Sequence, residues 1–217
     1  LRSVLDRLSD AGVASVRLDA VGYAVKTPGT SSFMTEHTFA FIDELTGWCR
    51  ERGLEVLVEV HSYYQRQVEI ARRVDLVYDF ALPPLVLHGL ITGDGDPLRA
   101  WLRVRPANAV TVLDTHDGIG VIDVGADADD RSKPGLLSPG QIDALVEAVH
   151  DNSRGTSRQA TGAAASNGDL YQVNCTSYDA LGGDDDAYLL ARAVQCVTRG
   201  GPQGDGVGRG GGARDGE

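Results

Sequence analysis

The chain has 217 residues, of which 42% are hydrophobic, enough for one globular domain or for part of a barrel whose usual length is about 250 residues. A formal net charge of −11 argues against a nucleic-acid partner, because a phosphate-binding surface needs a basic stripe. The three cysteines, Cys49, Cys175 and Cys196, have no CxxC spacing, which points away from a disulfide framework or a zinc site and towards a reducing, cytoplasmic setting.

Val4, Leu5 and Leu8 have helical spacing, with Gly12 placed to stop the helix. The chain therefore begins inside what reads as a helix, without a basic region and apolar core of the signal-peptide kind, and its amino terminus is expected to be a cut end. Ala14 to Asp19 predicts the first strand, ending in Val16-Arg17-Leu18-Asp19. Thr35 is the expected cap of a helix carrying Phe39, Ile42, Leu45 and Trp48 and ending at Gly53.

Leu54 to Val60 predicts a second strand, apolar except for Glu55 and Glu59, as expected of a strand buried on both faces of a parallel sheet. A helix from about Tyr64 to Arg73 follows, then a third strand, Val74 to Leu82, stopped by Pro83-Pro84. Leu85 to Arg103 predicts a helical connection broken at Gly93-Asp94-Gly95-Asp96, and Ala109 to Leu113 a fourth strand. No Gly-rich phosphate fingerprint follows any strand, so successive βα units of a barrel fit better than a doubly wound sheet. Ser138 is the expected cap of a helix over Pro139 to His150. Gly155 to Asn167 is small and polar and reads as a functional loop continuing through Asp169-Leu170-Tyr171-Gln172. Asp184 to Val197 predicts a last helix with acids at its amino end. From Gly200 to Glu217 half of the residues are glycine, which predicts a disordered tail, 200–217, behind a catalytic region, 1–199. No run approaches the roughly 18 apolar residues of a membrane span, so no membrane partner is expected.

Chemistry gathers at the strand ends. Asp19 and Glu59 close consecutive strands, and a parallel spacing of about 4.8 Å puts their carboxyl groups near the roughly 5 to 5.5 Å that retaining glycosidic chemistry uses. Leu113-Asp114-Thr115-His116-Asp117 brings further acids to the same rim. Arg17 lies two residues before Asp19, on the same side of the strand, and is placed to keep that acid ionised. His61 and His116 adjoin these acids and are candidate donors to sugar hydroxyls, or satisfied strand-end histidines; His37, His88 and His150 fall in helical stretches and read as structural or surface groups. A metal cluster of Asp114, His116 and Asp117 does not match zinc or EF-hand spacing.

Val16-Arg17-Leu18-Asp19-Ala20, Glu59-Val60-His61 and Leu113-Asp114-Thr115-His116-Asp117 resemble the conserved regions of the α-amylase superfamily, glycoside hydrolase family 13. Asp79-Phe80-Ala81-Leu82-Pro83-Pro84, Thr115 to Val121, and Ala164-Ala165-Ser166-Asn167 through Asn174 are similar to its sucrose phosphorylase subfamily, over about residues 1 to 197. The resemblance implies an α/β fold, a partial (β/α)8 TIM barrel with strands corresponding to the fourth to seventh, and reversible conversion of sucrose and inorganic phosphate into glucose 1-phosphate and fructose without a cofactor. It implies that Asp19 is the nucleophile, Glu59 the general acid/base and Asp117 the transition-state stabiliser. Arg17, Tyr23, Phe33, His61, His116, Asp169, Tyr171 and Gln172 would bind substrate, and a full-length member could be a homodimer. Left open are related α-glucoside phosphorylases using fructose 6-phosphate, glycerate or glycerol, a retaining α-glucosidase, a sugar-binding module, and an inactive fragment whose sheet edges lack partners.

Overall fold

Short runs of Val, Leu and Ile between helices assemble the centre of the molecule. The structure is a computed structural model that describes residues 1–162 and 172–198. Strands β1 (Ser15–Leu18), β2 (Glu55–Val58), β3 (Leu76–Asp79) and β4 (Ala109–Thr111) form one parallel sheet in chain order. Val56 and Val58, on one face of β2, are essentially inaccessible, whereas Leu57 on the other face is half-buried and Glu55 is exposed, so the strand is fully covered on one face and not on both as expected. The register pairs Leu18 with Val58, so the next residues, Asp19 and Glu59, leave the sheet together at its carboxyl end. Such a rim is where parallel sheets collect function.

Helix α1 (Arg2–Asp10) precedes β1, and helices α2 (Glu36–Arg50) and α3 (Tyr64–Ala71) connect the first three strands. One apolar cluster joins Leu5, Ile42, Leu45 and Cys49 to Val56, Val58 and Val77. Thr35 caps α2 by accepting from the Thr38 amide. Gly12 and Gly53 have positive φ just beyond α1 and α2, where the expected stops fall.

The third strand is shorter than expected, and Pro83-Pro84 does not simply end it. Both prolines lie in the first turn of α4 (Leu82–Thr92), where a missing amide hydrogen costs no intrahelical bond. Helix α5 (Asp96–Val104) follows the predicted break. A second apolar cluster packs Leu82, Leu85, Val86 and Trp101 against Leu113, Val124, Leu145, Val149 and Val173. Its polar hub is Asp79, wholly buried, which accepts from Trp101 Nε1 at 2.9 Å, Arg105 Nε at 2.6 Å and the Leu82 amide at 3.1 Å.

After β4 come a two-stranded antiparallel ribbon, β5 (Ile119–Gly120) with β6 (Gln172–Val173), and helices α6 (Pro139–Asn152), α7 (Thr156–Thr161), α8 (Ser177–Ala180) and α9 (Asp185–Val197). The start of the expected 155–167 loop is helical instead. Polar contacts seat α7, with His150 Nδ1 and Ser153 Oγ both within 2.7 Å of the buried Ser157 Oγ. The rest of that loop, and the expected 200–217 tail, lie outside the described residues.

Gln195 of α9 donates to the Thr111 carbonyl at 2.9 Å, so a helix side chain satisfies part of the β4 edge. Ser138 and Gln141 form a reciprocal capping box at α6. Ser138→Ala is expected to cost about 1 kcal/mol, read as a shift of the urea midpoint. All three cysteines are free. Among the described residues no helix is long and apolar enough to cross a membrane.

Candidate active site

Asp19 and Glu59 stand on neighbouring strand ends and share one cation. Arg17 Nη1 lies 2.7 Å from Asp19 Oδ1, and Nη2 lies 2.8 Å from Glu59 Oε1. The strand's alternation makes this possible, because Arg17 and Asp19 are two residues apart and project to one side. Ala20 then turns into the left-handed region at φ 43°. That costs an alanine about 1 to 2 kcal/mol, and its amide donates to Glu59 Oε2 at 3.1 Å. Glu59 is thus held at both oxygens, whereas the Asp19 side chain is 71% exposed to the cleft.

The electrostatics follow from these contacts. A hydrogen bond from Arg17, then contact with Glu59 and the charge of Arg17, holds the Asp19 carboxyl below its usual range. Asp19 therefore stays ionised at neutral pH and into the acid range. Burial would lower the Arg17 guanidinium, but the Asp19 hydrogen bond and the Glu59 charge outweigh it and the group moves up.

A cleft of about 380 Å³ opens here, bounded by Asp19, Glu59, His61, Tyr23, Phe33 and Asp117, with His116 and Gln172 also on its wall. Tyr23 and Phe33 pack with ring centroids 4.8 Å apart, an aromatic wall suited to the apolar face of a sugar. Every expected site residue among those described is therefore in one place. Asp169 and Tyr171 lie outside the described residues.

Asp117 arrives on a tight turn closed by a bridge between Thr115 and Gly118, with its amide bonded to Thr115 Oγ1 at 3.2 Å. His116 Nε2 is 3.5 Å from Asp117 Oδ2, and both remain largely exposed. Gly118 has φ +102°, and a Cβ there would lie 2.3 Å from the Val173 carbonyl oxygen. Gly118→Ala is expected to cost about 1 to 3 kcal/mol, measurable as a lowered urea midpoint. Asp114 takes no part in the cleft: it accepts from the Ser177 amide at 2.6 Å and anchors α8.

Sequence reasoning missed the support beneath His61. Its ring stacks on Phe80, with centroids 3.7 Å apart and 14° between the planes. Phe80 stacks in turn on Tyr78, and the Arg17 guanidinium lies 5.9 Å from the Tyr78 centroid. His61 Nδ1 is 2.7 Å from Oδ2 of the fully buried Asp123. Burial disfavours the charged imidazole, but Asp123, and behind it Glu59 and Asp117, raise the His61 pKa above its ordinary value. The spacing in Gly118-Ile119-Gly120-Val121-Ile122-Asp123 was the available signal, since a Cβ on Gly120 would lie 2.5 Å from Asp123 Oδ2 and 2.9 Å from His61 Nδ1.

No protein-family model matches the chain. It is 61% identical over 215 residues to sucrose phosphorylase of Agrobacterium vitis, covering 99% of this chain and 44% of the relative. That match must continue beyond residue 197, where the motif resemblance was expected to end. Identity to sucrose phosphorylase of Bifidobacterium adolescentis is 58%, over 94% of this chain and 40% of the relative. The crystal structure of sucrose 6F-phosphate phosphorylase from Thermoanaerobacter thermosaccharolyticum superposes with a TM-score of 0.77 at 38% identity, covering 91% of this chain and 39% of that one. The chain thus spans under half the length of these relatives. At this level of identity over nearly all of its residues, the chain is a homologue of the sucrose phosphorylases, with the α/β fold and parallel sheet of a family 13 phosphorylase.

Proposed function

We propose that this site carries out retaining glucosyl transfer from sucrose to inorganic phosphate, giving α-glucose 1-phosphate and fructose, and that β1 to β4 are the fourth to seventh strands of a (β/α)8 barrel. The observation that carries the reading is the single Arg17 guanidinium joined to both Asp19 and Glu59 at the rim. In the first half-reaction Asp19 attacks the anomeric carbon, the bond to the fructosyl oxygen breaks, and Glu59 gives that oxygen its proton. The glucosyl ester on Asp19 is the intermediate. In the second half a phosphate oxygen attacks the same carbon, the ester bond breaks, and Glu59 recovers a proton from the phosphate. Two inversions leave the α configuration unchanged.

The Asp117 carboxylate, across the cleft, is suited to stabilising positive charge as the glycosidic bond lengthens. Tyr23 and Phe33 offer the glucosyl ring an apolar wall, and His61, His116 and Gln172 offer polar contacts at its edge. Asp169 and Tyr171 are assigned to the acceptor side by resemblance alone. Water and phosphate would compete for one intermediate, so the catalytic trio does not by itself separate hydrolase from phosphorylase. The identities of 61% and 58% to sucrose phosphorylases, against 41% to a sucrose 6(F)-phosphate phosphorylase, favour sucrose as donor.

The test is release of glucose 1-phosphate from sucrose and phosphate. It is run on the chain and on a hybrid in which residues 1–198 replace the stretch they match in the Agrobacterium vitis enzyme. Phosphate-dependent glucose 1-phosphate from the hybrid is expected. A folded hybrid that yields none, or that yields glucose alone, removes the reading.

A further inference from the structure

Asp123 does not itself line the cleft, yet it is placed to decide what the cleft presents. It sits in a 3-10 turn, Ile122–Val124, directly after β5. Its Oδ1 accepts from the Ser62 amide at 2.9 Å and from Gln67 Nε2 at 2.6 Å, and its Oδ2 faces His61 Nδ1. Ser62 and Gln67 give this carboxyl only N–H donors, both at Oδ1. A carboxylate has no hydrogen to give, so beside ionised Asp123 the hydrogen sits on Nδ1, and Nε2 of a neutral His61 is then the acceptor. Gln172 supplies the matching donor, its Nε2 lying 3.2 Å from His61 Nε2. Three side chains from separate segments thus form one line from the buried interior to the cleft wall.

We propose that Asp123 is a positioning residue for glucosyl transfer, fixing the tautomer and plane of His61 and, through His61, the orientation of the Gln172 amide in the cleft. This rests on the transfer reading above for what the cleft binds. Phe80 holds the ring plane from one side, and Gly120 leaves the space in which carboxylate and imidazole meet. When His61 gains a proton its Nε2 becomes a donor, and Gln172 must turn its amide to present oxygen. The facing acids Glu59 and Asp117, with Asp123, favour that charged form. The hydrogen-bonding pattern of one cleft wall is then set by the protonation of one ring. Carboxylate support of a working imidazole commonly contributes about 10- to 100-fold.

The experiment is nitrogen-15 NMR of the His61 ring against pH in the whole chain, unmodified and as Asp123→Asn, with kcat and KM for sucrose measured in the hybrid. In the unmodified chain Nδ1 is expected to carry the proton, with a midpoint above the ordinary value of about 6.5. In Asp123→Asn the midpoint is expected to fall, and kcat to drop about 10- to 100-fold while KM stays within about threefold. A bare Nδ1 in the unmodified chain overturns the proposal, as does an unmoved midpoint in the variant. If Asp123→Asn does not fold, the tautomer in the unmodified chain decides alone. Should Asp19→Asn leave activity intact, the transfer reading fails, while the ring measurement still judges the link from Asp123 to His61.

Discussion

Asp19→Asn in the hybrid is expected to reduce glucose 1-phosphate formation by at least about 10³-fold while barely moving the unfolding midpoint. Loss of a covalent nucleophile removes the intermediate itself, and effects on the order of 10⁶ are known for such groups. The stability side is small for a separate reason. Asp19 is mostly exposed and its ion pair is to a partly exposed Arg17; solvent screening leaves pairs of that kind little share in stability. Asparagine also keeps an oxygen for Arg17 Nη1. The two measurements together discriminate, because a structural role for Asp19 would lower both, and retained turnover would end the nucleophile assignment. Glu59→Gln should differ in kind. Glu59 is 11% exposed in its side chain and accepts from both Arg17 and the Ala20 amide, so its replacement should lower stability as well as rate.

The sheet was legible because each strand is a short apolar run bounded by capped helices, and Asp19 and Glu59 were legible because they interrupt such runs at the end. Asp123 was not, since the residue that gives it meaning lies 62 positions earlier and no periodicity links them. The same holds for β5 and β6, two residues each, which exist only through the distant pairing of Ile119 with Val173 and of Gly120 with Gln172. Pro83-Pro84 misled for a different reason: proline ends a strand and opens a helix with equal ease, and the choice depends on the chain that follows. Helix α7 lacks large apolar side chains and is seated by His150, Ser153 and Ser157 instead. Hydrophobic pattern carries no trace of such a contact.

The largest stability loss is expected at Asp79→Ala. Asp79 is absent from the cleft, but it closes β3 and meets three donors from three places, Trp101 Nε1, Arg105 Nε and the Leu82 amide. Burial pushes its carboxyl up, against the pull of Arg105, Trp101 and that amide. Arg105 also donates to the Ala109 carbonyl at 3.1 Å and to the Thr198 carbonyl, tying β4 and the end of α9 to the same charge. Removing the acid leaves a guanidinium that is 8% exposed without its counter-ion, and two buried N–H groups unmet. Breaking a buried pair from one side typically costs about 3 to 5 kcal/mol, a large share of the roughly 5 to 15 kcal/mol that holds a domain together. Asp79→Asn keeps an acceptor oxygen and the volume, and should cost less. Urea unfolding of the two variants orders them, and an Asp79→Ala midpoint equal to the parent's would mean that Arg105 finds another partner. Because the same residue ends β3 and its neighbour Phe80 seats His61, Asp79→Ala should also broaden the His61 ring signals before the chain unfolds globally. The charge hub of the interior and the chemistry of the rim are one residue apart.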